Sequence, residues 1–246
     1  MSTGLTARWH AVAWRDPLLR EATLYSVRLA LLTLVIAFPF GVGLALGAVR
    51  SRGRTAAIIR LLGVGHSALP ETILASMLFS VVVHLFTVVP LGTGAQLLGH
   101  VTLALPYVTV VVSAALLSLD PACEEAAVDL GASTLGVLRY VVLPLLAPAL
   151  LAVAMMCFTI SLNDFVMSHF LCIDTDCATV PMLLYSRAPS VPDPTESAVA
   201  ISQILFAMMT LGMALFLRRR FVARSSAHSQ ARTGADVSHR RLRRFS

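Results

Sequence analysis

The chain has 246 residues, 57% of them hydrophobic and only 13% charged, with a net charge of +6 and a pI near 9.8. So little polar surface cannot cover a soluble domain of this size, and a mean hydropathy of +0.80 points to an integral membrane protein. All 19 basic residues are arginine; they cluster beside apolar runs, which fits membrane topology and anionic lipid, and no nucleic-acid partner is expected.

Residues 1–22 form a polar leader with Trp9 and Trp14, placed at the outer interface where indole rings are favoured. Arg8, Arg15, Asp16 and Arg20 interrupt any apolar core of a cleavable signal peptide. A helix of about 20 apolar residues crosses the roughly 30 Å hydrocarbon core, and runs of that length lie at residues 23–49, 69–89, 97–119, 141–162 and 199–217. About five transmembrane helices are therefore expected. Pro39, Pro106, Pro144 and Pro148 fall within or beside these runs, and packed membrane helices tolerate them. The runs are continuous rather than alternating, which argues against a β-barrel.

Arg50, Arg52, Arg54 and Arg60 assign the first connection to the cytoplasm by the positive-inside rule. Arg139 and the arginine-rich carboxyl terminus then also lie inside, with the amino terminus and the loop at residues 172–194 outside. After Arg220 the Ser/Arg/His-rich tail, residues 221–246, lacks apolar periodicity and is expected to be disordered near lipid.

The inner loop between the third and fourth runs is the most informative segment. In "DPACEEAAVDLGAS" Asp120 suits an N-cap, Pro121 the first helical position, and Glu124 and Glu125 the positive end of the helix dipole. Ala126, Ala127 and Leu130 give a small smooth face, Gly131 permits a tight turn, and Ser133 caps a second helix running into the fourth span. The expected result is a cytoplasmic helix-turn-helix elbow.

Glu125-Ala126-Ala127, three residues, Gly131, nine residues, Val141, one residue, then Leu143-Pro144 resembles the EAA loop of permease subunits of ATP-binding-cassette importers, with Val for the commoner Ile. The flanking "LPYVTVVVSAALLSLDPACEEAAVDLGAS" and "LPLLAPALLAVAMMCFTISLNDFV" look like the spermidine/putrescine permease group. The resemblance runs from about Trp9 to Arg220. It implies the all-α type I importer permease (MetI-like) arrangement in a bacterial inner membrane, and a coupling helix at about residues 129–134. Glu124, Glu125, Ala126, Ala127, Asp129, Leu130, Gly131, Ala132 and Ser133 would meet a cytoplasmic ATPase dimer that carries ATP and Mg. It also implies a homologous second permease subunit and an extracytoplasmic solute-binding protein, with a polyamine as the leading cargo. Permeases of this group carry an additional span before the segment "WHAVAWRDPLLREATLYSVRLALL", so either a five-helix core or a start internal to a longer product is expected.

The chain contains no lysine, so it lacks the Gly-Lys-Ser/Thr end of a phosphate-cradling loop. ATP hydrolysis is expected on a separate subunit; no catalytic residue and no cofactor are assigned to this chain. Glu71, Asn163 and Asp164 are polar groups in apolar surroundings, where a carboxylate facing lipid is costly. They are the candidates for a translocation path, with Asp164 as a simple span-end anchor the alternative. The resembled group often has two adjacent aspartates where Asn163-Asp164 stands.

Asp174, Asp176, Arg187, Asp193 and Glu196 are outer-loop charges that either contact the binding protein or are merely solvated. Cys172 and Cys177 lie on the oxidising side, and spacing leaves open whether they pair. His66, His84, His100 and His169 are read as interfacial, and no metal-ligand cluster is expected. A non-transporting scaffold with a permease-like fold, an importer of another small solute, and a secondary transporter remain alternatives.

Overall fold

The computed structural model describes residues 15–84, 91–173 and 175–187, together with residues 197, 199, 201–205, 208–209, 212–213 and 216, which are helical. Trp9, Trp14, the tail at 221–246 and part of the expected fifth span lie outside the described residues. Every regular element among the described residues is helical.

Helix α1, Pro17–Arg50, starts at Asp16, whose carboxylate accepts from the Leu18 amide at 2.9 Å. The helix therefore begins six residues before the apolar run, inside what reads as leader. Its buried stripe includes Ala30, Thr33, Ala37, Gly41, Ala45 and Ala48. Small residues four apart let a second backbone approach closely in a membrane, where packing replaces the hydrophobic effect between helices. The second backbone is α4, Thr93–Leu117: a Cβ built on Gly41 would stand 2.6 Å from the Val108 Cβ. Ala37, Ala45, Ala104, Val108, Val112, Leu146, Val153 and Cys157 form the core shared by α1, α4 and α6.

α2, Gly53–Val64, and a 3₁₀ turn at Gly65–Ala68 precede the second expected span, residues 69–89, whose described part is α3, Glu71–His84; a break at Leu69-Pro70 separates them. Pro70 supplies the physical reason: it disfavours helical backbone at Leu69 and has no amide to donate.

A short helix α5, Pro121–Asp129, precedes α6, Thr134–Asn163. Near its start α6 widens into a π turn at Leu138–Val142, just before Pro144 would break the regular ladder. α1, α4 and α6 are long and apolar enough to cross a membrane. Two short helices, α7 (Val166–Leu171) and α8 (Val180–Arg187), follow. Met167 and Leu171 of α7 pack with Ala75 and Val82 of α3 and Ala95 of α4 in a second, smaller core.

Two ends can be distinguished by ion pairs. Arg50, at the end of α1, pairs with Glu124 of α5 at 2.8 Å. Asp16, at the start of α1, pairs with Arg187 of α8 at 2.7 Å. The elbow and the loop bearing Cys172 and Cys177 thus occupy opposite ends of the bundle.

Candidate functional site

The elbow is set by local rules. Asp120 caps α5 by accepting from the Ala122 amide at 3.0 Å, and Pro121 occupies the first turn. Gly131 sits at φ +83°, a left-handed conformation that a Cβ penalises, and the Ala132 amide bonds back to the Ala127 carbonyl at 3.0 Å. Ser133 Oγ then accepts from the Gly136 amide at 3.2 Å, capping α6.

α5 contains no buried residue. Leu130 is 89% exposed and Leu135 72%, a hydrophobic tip that the chain itself does not cover. Glu125, Ala126, Asp129, Gly131 and Ser133 are exposed as well, whereas Ala127 and Ala132 are half-buried against the core. Glu124 differs from its neighbour, being tied to Arg50. The resemblance put a coupling helix at residues 129–134, but that stretch is the turn. The helical segment here is Pro121–Asp129, and the positive φ at Gly131 stops helical propagation.

The second polar feature is internal. His100, fully buried, lies 2.7 Å from Ser161 Oγ through Nδ1, and 2.9 Å from Ser168 Oγ and 3.2 Å from Asp164 Oδ2 through Nε2. Ser161 Oγ donates to Thr33 Oγ1 at 3.3 Å, so the network joins α1, α4, α6 and α7. Asp164 is itself buried: its carboxylate accepts from the Ser168 amide at 3.0 Å and caps α7. Glu71, half-buried at the head of α3, lies beside Asp164. The break between α2 and α3 and the break between α6 and α7 therefore meet through two acidic side chains.

Of the three expected path residues, the structure joins Glu71 with Asp164. Asn163 stands apart, exposed, with its amide on the Thr159 carbonyl at 2.9 Å. Asp164 faces its own chain rather than an open surface, held there by the α7 amides and His100. His100 is not interfacial; packing between α4, α6 and α7 encloses it. Its signal in the sequence was Gln96 and His100 four apart in an apolar run, with Ser161, Asp164 and Ser168 at similar spacing elsewhere.

At the other end the tie continues. Gln96, also buried, donates to the Cys177 carbonyl at 3.1 Å and accepts from the Tyr25 hydroxyl, which reaches Thr93 Oγ1 at 3.1 Å. Cys172 and Cys177 are bridged, which settles the open question of their pairing. Arg187 is engaged by Asp16, and its guanidinium holds the Asp16 carboxyl below the ordinary 3.8. Asp176 is exposed, and Asp174, Asp193 and Glu196 lie outside the described residues. Among the described residues no group of His, Cys, Asp and Glu could hold a metal ion.

The family described as binding-protein-dependent transport system inner membrane component matches residues 37–227. The spermidine/putrescine transport system permease protein PotC of Haemophilus influenzae is 32% identical over 229 residues, 92% of this chain and 84% of that protein. PotC of Escherichia coli K12 is 31% identical over 218 residues, 87% and 81% of the two chains. The E. coli putrescine permease PotI is 40% identical over a shorter stretch of 103 residues, 42% of this chain and 36% of that one. Among solved structures, a bacterial ABC transporter that imports the polysaccharide alginate superposes with a TM-score of 0.69 at 15% identity, covering 90% of this chain and 85% of that one. The MetNI methionine ABC transporter superposes at 0.60 and 18% identity, covering 90% and 99%. At these identities the structural likeness carries the fold.

Proposed function

Since the chain belongs to the binding-protein-dependent transport system inner membrane components, and is a permease subunit of an ATP-driven importer rather than an enzyme, we propose that its cargo is a polyamine such as spermidine or putrescine. The observation that carries this is the match over most of the chain to permeases named for those solutes. Import of another small solute is the second reading.

The elbow supplies the coupling. Its uncovered tip at Leu130, the rigid turn at Gly131 and the Arg50–Glu124 pair make it a shaped protrusion suited to a groove on a cytoplasmic ATPase dimer that holds ATP and Mg. The arginines at the elbow end favour the cytoplasm for that end and for the carboxyl terminus. Closure of the ATPases would draw this elbow and that of a homologous second permease together, shifting the path between inward-open and outward-open states. A solute-binding protein would dock at the end bearing the disulfide.

The path would run along the face shared with the second permease, with Asn163 exposed on it and Glu71 at its edge. Asp164 is better suited to holding Glu71 and α7 in place than to lining the path.

The test is reconstitution in liposomes with a second permease, the ATPase and the binding protein, using radiolabelled spermidine. ATP-dependent uptake that needs all four components is expected. Uptake of a different solute in its place would remove the polyamine reading and leave the permease role intact.

A further inference from the structure

At the end bearing the disulfide, the first turns of α1, the bridged loop and α8 enclose a cavity of about 430 Å³. That is within the range of small-molecule sites. Its walls combine three chemistries. Leu18, Met182 and Leu183 give an apolar surface; Tyr25 gives an aromatic one; Glu21 and Asp176 contribute carboxylates.

Neither carboxylate has a cationic partner among the described residues, although an arginine of the same end is close in sequence to the cavity wall. Arg187, one residue beyond the lining Ser186, is held by Asp16 at 2.7 Å. Asp16 thus ties up that guanidinium. The Tyr25 hydroxyl is bonded to Gln96 and Thr93, which fixes its ring in the wall. The Cys172–Cys177 bridge and the Gln96 bond to the Cys177 carbonyl hold the opposite side.

We propose that this cavity binds an alkylammonium cation: a short methylene chain bearing two or more protonated amines. The amines would pair with Glu21 and Asp176, the methylenes would lie on Leu18, Met182 and Leu183, and the Tyr25 ring would offer a further cation contact. The site is one of capture on the permease itself, separate from the buried Glu71–Asp164 contact. It rests on the polyamine reading for the identity of the chain, while the recognition chemistry is that of the pocket.

The test is equilibrium binding of radiolabelled spermidine to the full chain in lipid nanodiscs. Saturable binding is expected, competed by 1,4-diaminobutane and not by the neutral 1,4-butanediol. Glu21→Gln combined with Asp176→Asn should weaken it about tenfold or more, the loss of charge-assisted hydrogen bonds. Both side chains are exposed, so the double variant should fold; retention of the disulfide and an unchanged melting temperature verify this. The single variants should each fall between it and the parent.

Unchanged spermidine binding by the double variant overturns the proposal, as does equal competition by the diol. Should the double variant lose only capture of a binding protein, the carboxylates receive a basic side chain of that partner and the proposal is likewise overturned. Uptake by the assembled importer separates the two readings. An importer that carries another solute while the isolated chain still binds spermidine through Glu21 and Asp176 sinks the cargo and keeps the site. An importer of spermidine indifferent to both substitutions in binding does the reverse.

Discussion

The elbow and the buried network around His100 use polar residues in opposite ways. The elbow keeps its polar and apolar groups at the surface: α5 buries none of its residues, and one ion pair joins it to α1. Its shape comes from two caps and one glycine. The network buries His100, Asp164, Ser161 and Ser168 and satisfies them within the chain. Buried polar groups are costly unless bonded, and more so in lipid, where no water can substitute. The contrast teaches that the network is a finished structural joint, whereas the elbow leaves Leu130 and Leu135 exposed at its tip.

The sharpest way to break this comparison is Gly131→Asp. The position has φ +83° with open space around it, so a side chain meets strain of about 1–2 kcal/mol in the turn but no clash. Uptake and permease-stimulated ATP hydrolysis should be abolished while membrane insertion is retained, measured in the reconstituted importer and by membrane fractionation. Normal uptake would show that the elbow does not transmit.

Asp164→Ala should have the converse effect. Removing the buried carboxylate leaves the α7 amides without their acceptor and takes one of three partners from His100, which should cost about 1–3 kcal/mol, read as a lower melting temperature in detergent. The double variant with His100→Ala should lose less than the sum of the two single variants, because they share one network. Strict additivity would mean that the 3.2 Å approach contributes no coupling.

Gly41→Ala probes the apolar contact beneath both features. Its Cβ would come within 2.6 Å of Val108, and overpacking of this kind costs about 1–3 kcal/mol. Val108→Ala in the same chain should recover only part of the melting temperature, since it removes the Cγ1 contact but keeps the Cβ that stands 2.6 Å away.

The smallest effect is expected at Asp16→Asn, which keeps a capping side chain and removes the charge facing Arg187. The folded Asp16 carboxyl titrates below its ordinary 3.8. The pair's contribution is therefore present above that pH and disappears as pH falls through the folded value. The pair is partly exposed, so the difference from the parent should be under about 1 kcal/mol at pH 7. In a melting series the difference should shrink and then vanish as pH falls below 3.8 and through the lowered folded value.

The elbow was legible in the sequence because its determinants are local: Asp120, Pro121, Gly131 and Ser133 each act within four residues. The first, third and fourth spans were legible from apolar length alone. The boundary at Leu69-Pro70 was legible from Pro70, whereas α2 before it was not, because its 12 residues, broken by Arg54 and Arg60, fall short of a membrane-length apolar run. His100 and Asp164 were separable as residues but not as a pair, since 64 positions divide them and only the packing of α4 on α7 brings them together. The Ala37, Gly41, Ala45 stripe was present as a spacing of four, but in a membrane run small residues carry little contrast against the apolar background.

The length of α6 has a geometric consequence. From Thr134 at the elbow to Asn163 beside the acidic pair it counts 30 residues, about 45 Å of helix. Pivoting that length by roughly 5° at one tip sweeps the other through roughly 4 Å, comparable to the width of a methylene chain. A nudge delivered on one side of the bilayer would thus arrive on the other as an opening of molecular size.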